Sequence, residues 1–425
     1  MRPLAEPERI RAMRRTRWAN RWVLSYSPDV IASLIAVLGL AFIVPLGSKG
    51  ALLFLMAGMA MVASRLGDTL AALAQEWMIL LVVLWCIMSF AWSAYPELTL
   101  RYGIQLFLTV AIAIVISYRL PPAAFVKIIF TASFLAGLAS LLIGRDRGDG
   151  MGYLGIYASK NALADSGALL ILIAAAIVLD RRLPARWRLP ALCGIVLGAM
   201  LLIMGKSSGA LVSTMVVFMI YGGIVLLQRM TPYMRFVVAG LGIVLAAVIG
   251  VIVYSLMDEL SRIFLNATGK DITLTGRTDL WAIAFRQIAE RPLLGSGYQA
   301  FWVQGQPIAE ELWAQFGIKA RAGFHFHNTL ISNAVEIGLI GTTLQTFVFL
   351  SAVWACLGWS IRAPSAASLF FALMTIRLFI LMWIEVVYFY QLNLTTLIIV
   401  AAICYAHRVH RPAQSLHQKG NSAFA

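Results

Sequence analysis

Long apolar runs alternate with short polar segments along most of the chain. Several runs approach the roughly 20 apolar residues that an α-helix needs to cross a bilayer, so the pattern predicts an all-α polytopic membrane protein. Twelve transmembrane helices are predicted, of which the second is short. They cover residues 29–47, 51–64, 77–93, 102–118, 124–144, 161–179, 189–204, 210–228, 236–256, 335–358, 366–386 and 391–406.

The segments between these runs predict the arrangement across the membrane. An even number of spans places both ends on one side, and seven arginines within the first 28 residues assign that side to the cytoplasm. The large loop between spans 9 and 10 is then periplasmic. Five parts are predicted: a basic cytoplasmic segment (1–28), spans 1–9 (29–256), the loop with amphipathic helices (257–327), spans 10–12 (328–406) and a cytoplasmic tail (407–425).

Composition and charge narrow the classes of protein that fit. Hydrophobic residues make up 61% of the 425 residues and charged residues 12%, which excludes a soluble enzyme and a disordered chain. The net charge of +15 comes almost wholly from the predicted cytoplasmic segments, because residues 257–327 hold seven basic and seven acidic residues. This distribution indicates membrane topology and contact with lipid headgroups, not nucleic-acid binding.

The large loop predicts two short helices at the membrane surface. Thr278 or Asp279 can cap a helix that continues to Glu290, and Trp281 lies on its apolar face. A second helix is predicted over residues 308–316. We expect both to lie at the outer interface or to dock on the helix bundle.

Two histidines at the end of this loop, His325 and His327, are candidate general bases. Histidine changes its charge near neutral pH, and the other three histidines lie in the predicted cytoplasmic tail. The alternative is a histidine that caps or packs against the start of span 10. A His-x-His pair can also bind a metal, but no third ligand is evident in the sequence.

Arg277 is a candidate for binding an anion. It lies at the predicted start of the first loop helix, where a guanidinium and backbone N–H groups together suit a phosphate. The alternative is a salt bridge with Asp271 or Asp279. Other basic residues at the predicted outer ends of spans would complete a ring of charge that suits a diphosphate, although each alone is explained by snorkelling. They are Arg101, Lys160, Lys206 and Arg262.

Polar residues within or near the spans are further candidates, because charge is costly in a bilayer. Asn161 and Asp165 are four residues apart on one helix face, and Asn328 and Glu336 roughly share another. Arg377 lies near mid-span, and we expect it to pair with a carboxylate across the bundle. The charged members of this set are Asp165, Glu336, Arg377 and Glu385.

Three motifs, in this order and spacing, resemble the hallmark region of the O-antigen ligase/polymerase superfamily. They are residues 276–281 (Gly-Arg-Thr-Asp-Leu-Trp), 291–298 (Arg-Pro-Leu-Leu-Gly-Ser-Gly-Tyr) and 327–341, which run from His327-Asn328 to Glu336-Ile337-Gly338-Leu339-Ile340-Gly341. The Lys160-Asn161 pair at the start of span 6 is similar to the exopolysaccharide polymerase branch. Twelve spans with a late outer loop extend the resemblance over the whole chain.

The resemblance implies a GT-C-like, inverting glycosyltransferase of the bacterial inner membrane whose active site faces the periplasm. The donor would be a glycan on a polyprenyl diphosphate such as undecaprenyl diphosphate. The acceptor would be another glycan or the lipid A-core of lipopolysaccharide. No nucleotide sugar, cofactor or metal is implied.

The resemblance also implies roles for the candidate residues. His327 would be the catalytic base that activates the acceptor hydroxyl. The residues that would bind the donor diphosphate are Arg277, Lys206, Lys160, Arg101 and Arg262. The residues that would lie around the acceptor are His325, Asn328, Glu336, Asn161 and Trp281.

Other functions are weighed by where the polar residues lie. A solute or anion transporter would line a path from face to face, and a lipid-linked glycan flippase would need a charged central cavity. Here the polar residues cluster toward the predicted outer side, with Arg377 the main exception. Ligases of the superfamily often carry an arginine just after the seventh span, where this chain has Ser208 two residues after Lys206. That departure favours a polymerase.

Overall fold

The computed structural model describes residues 27–146, 148, 152–255, 275–321 and 323–410. These residues form α-helices and one antiparallel two-stranded ribbon, β1 Arg145–Asp146 with β2 Tyr153–Gly155. The helices are α1 Pro28–Ala41, α2 Ile43–Leu46, α3 Ser48–Ser64, α4 Leu66–Gln75, α5 Trp77–Met88, α6 Pro96–Arg119, α7 Pro122–Ile143, α8 Lys160–Leu179, α9 Arg188–Met204, α10 Ser208–Gln228, α11 Pro232–Ser255, α12 Thr275–Glu290, α13 Pro307–Gln315, α14 Thr329–Arg362, α15 Ala366–Leu381 and α16 Leu394–His410. Arg262 and most of the basic N-terminal segment lie outside the described residues.

The described helices confirm an all-α polytopic membrane protein. Six are long and apolar enough to cross a membrane, and α3 with α4, bent by 102°, would make a seventh span. The six are Pro96–Arg119, Pro122–Ile143, Lys160–Leu179, Ala185–Met204, Ser208–Gln228 and Thr329–Arg362. Helices α1, α5, α15 and α16 are apolar but shorter. The number of twelve spans stays a prediction.

The first loop helix begins earlier than the sequence predicts. Helix α12 already includes Thr275 and Gly276, so the predicted cap at Thr278 or Asp279 is wrong. Its buried face, which includes Leu280, packs with α13 in a small apolar cluster outside the main core. Helix α13 itself forms where the sequence predicts it.

Close packing of α8 and α9 sets the position of two predicted site residues. A Cβ added to Gly167 would lie 2.6 Å from the carbonyl oxygen of Gly198, and one on Gly205 would lie 2.8 Å from the carbonyl oxygen of Lys160. Such small residues let the backbones of membrane helices approach each other. The contact at Gly205 therefore brings Lys160, at the start of α8, next to Lys206.

Helix α14 is kinked at Gly338, whose φ of 67° and ψ of 178° are not helical. The kink accommodates the segment that follows α12. The backbone N–H of Leu339 donates to the carbonyl oxygen of Pro292 at 2.8 Å, and Trp85 Nε1 donates to the carbonyl oxygen of Ile337 at 2.9 Å. These bonds satisfy groups that the kink frees from the helix ladder. Two of the hallmark motifs thus dock on each other here.

We expect Gly338→Ala to destabilise the protein. The left-handed backbone costs a non-glycine residue about 1–3 kcal/mol, and the new Cβ would collide with the carbonyl group of Leu293. The measurement is the thermal unfolding midpoint in detergent. Gly222→Ala is the matched control, since a Cβ there meets nothing within 4 Å. Equal midpoints for the two variants would contradict the expectation.

The structure pairs Arg377 with Asp165. Arg377 is 1% exposed, and its Nη2 lies 2.5 Å from Asp165 Oδ1. The pair joins α15 to α8 within the bundle. The expectation of a carboxylate partner across the bundle is confirmed, and the charge of Arg377 belongs to the fold.

Candidate active site

Three titratable side chains meet at the N-terminal end of α14. Glu385 Oε2 lies 3.4 Å from His327 Nδ1 and 3.5 Å from His325 Nε2. Glu385 comes from the segment between α15 and α16, which is held here because Thr329 Oγ1 donates to the Glu385 carbonyl oxygen at 2.7 Å. We call these three side chains, His325, His327 and Glu385, the histidine–carboxylate cluster.

Two predicted site residues hold the backbone around this cluster. Asn328 caps α14, because its Oδ1 accepts the N–H of Ile331 at 3.0 Å, while its Nδ2 donates to the carbonyl oxygen of Trp383 at 3.2 Å. Trp281 Nε1 donates to the carbonyl oxygen of Phe326 at 2.7 Å. Asn328 and Trp281 therefore position the cluster from α14 and α12.

The two imidazoles differ in which nitrogen is available. His325 Nδ1 accepts the backbone N–H of His327 at 3.2 Å, so its proton belongs on Nε2, toward Glu385. The buried Nδ1 of His327 makes no hydrogen bond, but Glu385 Oε2 lies 3.4 Å from it; a proton on Nδ1 would face this carboxylate and leave Nε2 with a lone pair. His327 also has a left-handed φ of 51°, and strain of this kind concentrates at functional sites.

The cluster holds its charge on the carboxylate. Burial raises the pKa of Glu385, but the contact with His327 and the charges of His325, His327 and Arg277 outweigh it, so the pKa is lowered. Burial, then the neighbouring His327, lowers the pKa of His325 to about 4. At neutral pH an ionised Glu385 therefore lies beside a neutral His325.

His325 should make the fold sensitive to acid. Below pH 6.5 the unfolded chain binds a proton at His325, whereas the folded chain binds it only near pH 4. The free energy of unfolding should therefore fall between these values by about 1–3 kcal/mol relative to His325→Gln. Thermal unfolding of both proteins across this pH range measures the difference. If the stabilities of wild type and His325→Gln change equally with pH, the pKa of His325 is not lowered in the folded protein.

A basic cavity of about 160 Å³ adjoins the cluster through Glu385. Its lining includes Lys160, Lys206 and Arg277 together with Asn161. Asn161 Nδ2 donates to Glu385 Oε1 at 3.4 Å. Three cations at one carboxylate-lined opening can bind and hold a phosphate group.

The structure thus brings four predicted site residues to one cavity, namely Lys160, Asn161, Lys206 and Arg277. Three other predicted site residues are not found there. Arg101 lies apart from the basic cavity, with its guanidinium 5.9 Å from the ring centroid of Tyr102. Glu336 also lies elsewhere, because it lines a second cavity. Arg262 is outside the described residues.

The second cavity is larger, about 550 Å³, and meets the cluster through His325. We call it the aromatic cavity. Its lining includes Tyr102, Gln299, Trp302, Phe324, His325 and Glu336. The sequence analysis did not single out Trp302 or Gln299, because neither lies in a span nor carries a charge.

Glu385 is a candidate in the sequence only through its charge, and its role in the site becomes visible only in the structure. Its charge near the end of a span marked it as unusual, but nothing local linked it to His327. It also supplies the third ligand that was not evident in the sequence, since ligand atoms of His325, His327 and Glu385 lie within 4.8 Å of one another. The cluster can therefore orient a base, and it has the donor set for a metal ion.

Comparison with known proteins gives the family. Residues 193–346 match the O-antigen ligase family. This match confirms the resemblance to the O-antigen ligase/polymerase family, and it includes Lys206, Arg277 and His327.

The chain is also similar to a curated protein of Rhizobium meliloti (strain 1021), the exopolysaccharide production protein ExoQ. The two are 36% identical over 283 residues, which cover 65% of this chain and 64% of ExoQ. The chain therefore matches somewhat less than two thirds of its relative's length. The relative is named for exopolysaccharide production.

Proposed function

We propose that this protein is a membrane glycosyltransferase that extends a polysaccharide, moving a glycan from a polyprenyl-diphosphate donor to a glycan acceptor. The observation that carries the proposal is that Glu385 belongs both to the basic cavity and to the histidine–carboxylate cluster. A diphosphate leaving group needs fixed positive charge, and an acceptor hydroxyl needs a base beside it. ExoQ is named for exopolysaccharide production, which supports polymerase over ligase.

The proposed reaction is a direct displacement. The acceptor hydroxyl attacks C1 of the donor sugar while His327 Nε2 takes the hydroxyl proton, and the diphosphate leaves from the opposite face with inversion. Glu385 keeps the proton of His327 on Nδ1 and stabilises the imidazolium that forms. Arg277, Lys160 and Lys206 offset the charge of the leaving diphosphate.

We propose that the protein lies in the bacterial inner membrane and that both cavities open to the periplasm. The site residues come from one end of the bundle: the start of α8, the connection between α9 and α10, the start of α12 and the start of α14. The predicted cytoplasmic connections, by contrast, are rich in arginine. An outer site agrees with a donor whose glycan has already crossed the membrane.

The proposal is metal-independent, because Arg277, Lys160 and Lys206 already place fixed positive charge at the basic cavity. EDTA is therefore expected to leave the transfer rate unchanged. A loss of rate that a divalent cation restores would instead assign the cluster a metal.

The test is glycan transfer in proteoliposomes that contain the purified protein and polyprenyl-diphosphate oligosaccharide isolated from the producing strain. We expect elongated lipid-linked glycan and release of polyprenyl diphosphate. A single addition to a lipid A-core acceptor would indicate a ligase instead. Absence of transfer to either acceptor would reject the glycosyltransferase proposal and favour transport.

A further inference from the structure

The aromatic cavity differs in chemistry from the basic cavity. Tyr102, Trp302 and Phe324 contribute aromatic rings, and Gln304 and Glu336 contribute hydrogen-bonding groups. Its volume of about 550 Å³ lies in the range of sites that enclose a small ligand. The cavity is therefore large enough for a ligand of its own.

The charges of the aromatic cavity do not suit a phosphate. Arg321 lines the cavity, but its Nε is paired with Glu310 Oε2 at 3.0 Å. Glu336 Oε2 accepts the backbone N–H of Gln299 at 3.1 Å, and no ion pair joins Glu336 to a cation within the described residues. A buried carboxyl group without a neighbouring cation gives an anionic ligand no electrostatic attraction. A lipid tail is equally disfavoured, since it would leave these polar groups unsatisfied.

A sugar ring matches this lining. The C–H face of a pyranose packs on an aromatic ring, and its hydroxyls bond to carboxylate and amide groups. Trp302 is half-buried and held in place, with ring centroids 5.0 Å from Phe301, 5.0 Å from Phe326 and 5.2 Å from Phe324. Trp302 is thus a rigid surface on which a ring can stack.

We infer that the aromatic cavity binds the terminal sugars of the acceptor glycan. Trp302 lies under a sugar ring, and Glu336 and Gln304 bond to its hydroxyls. The inference rests on the proposed function, which requires an acceptor next to His327. His325 lines the cavity, and its ring centroid is 4.4 Å from that of His327, so a sugar held here presents a hydroxyl beside the base.

The first experiment measures binding without catalysis. The probe is the free repeat-unit oligosaccharide, released by mild acid from the lipid diphosphates of the producing strain and titrated calorimetrically into the full-length protein in nanodiscs. We expect Trp302→Ala and Glu336→Gln to weaken binding at least tenfold. Trp302→Phe should retain most of the affinity, because it keeps an aromatic surface. Trp354→Ala is the control for a tryptophan outside the cavity, since Trp354 is 80% exposed.

A crossed titration separates the two cavities. Inorganic pyrophosphate should lose affinity in Arg277→Ala and bind normally to Glu336→Gln, whereas the oligosaccharide should show the reverse. The inference is overturned if oligosaccharide binding survives both Glu336→Gln and Trp302→Ala, if it is lost instead in Arg277→Ala, or if wild type binds pyrophosphate but no oligosaccharide. Glu336→Gln preserves side-chain shape, so it tests the cavity even if Trp302→Ala does not fold.

Kinetics distinguish this inference from the proposed function. The free oligosaccharide should inhibit transfer competitively against the acceptor, and Glu336→Gln should raise the acceptor KM with the donor KM unchanged. Competition against the donor alone would overturn the inference while transfer itself stands. The opposite outcome is also possible: oligosaccharide binding depends on Glu336 and pyrophosphate binding depends on Arg277, but wild type transfers no glycan. That result would reject the proposed function while the glycan-binding cavity stands.

Discussion

We expect replacement of His327 with asparagine to lower the rate of glycan transfer by about 10²–10⁴-fold, the usual contribution of a general base, in a protein that stays folded. His327 has a left-handed backbone, with φ of 51°. Asparagine tolerates that conformation better than alanine, so this variant removes the base with the least disturbance of the backbone. The rate is measured in proteoliposomes at saturating donor, with His327→Ala as the second variant.

Two companion variants test why His327 acts as the base. In Glu385→Gln the proton on His327 Nδ1 loses its charged partner, so we expect a smaller loss of rate than in His327→Asn. In His325→Gln both ring nitrogens of His325 are replaced, yet the base remains, and the loss should be the smallest of the three. A larger loss in His325→Gln than in His327→Asn would transfer the role of base to His325.

Arg277→Ala is the second variant with a large expected effect, a fall in transfer of about 10²–10³-fold. Arg277 lies in the first turn of α12 and lines the basic cavity, where its guanidinium can contact two phosphate oxygens at once. Removing it weakens both donor binding and stabilisation of the leaving diphosphate. Transfer rates across donor concentrations separate these two effects.

Arg286→Ala is the matched control, because Arg286 is an exposed arginine on the same helix. Its transfer rate should equal that of wild type. Arg277→Lys should recover part of the rate, since it restores the charge without the planar fork. If Arg277→Ala transfers glycan at the wild-type rate and binds the donor with wild-type affinity, the diphosphate binds elsewhere.

The fold class was predictable because it depends on long apolar runs. The runs at 102–118, 124–144 and 161–179 each fall within or almost within one helix of the structure, α6, α7 and α8. An apolar run in the sequence does not reveal a break in a helix that tertiary contacts impose. The kink at Gly338 follows from docking of the segment around Leu293, and the pattern of apolar residues around position 338 does not predict it.

The candidate site was predictable only in part. Motif spacing and residue chemistry selected His327, Arg277, Lys160 and Lys206 one at a time. Their convergence depends on helix packing, as the close approach at Gly205 shows. Glu385 had a charge that marked it but no role, because its position beside His327 arises from a loop held by Thr329, 56 residues away in the chain.

The kink in α14 also bears on how His327 is held when the surrounding bilayer changes thickness. Before the kink, α14 is held by the segment that follows α12, because the backbone N–H groups of Ser296 and Gly297 donate to the carbonyl oxygens of Val335 and Glu336 at 2.9 and 2.8 Å. A membrane helix answers a change in bilayer thickness by tilting. The joint at Gly338 lies between this docked part and the rest of the helix, so we expect a tilt of the rest of α14 to disturb the backbone around His327 less than it would in a straight helix.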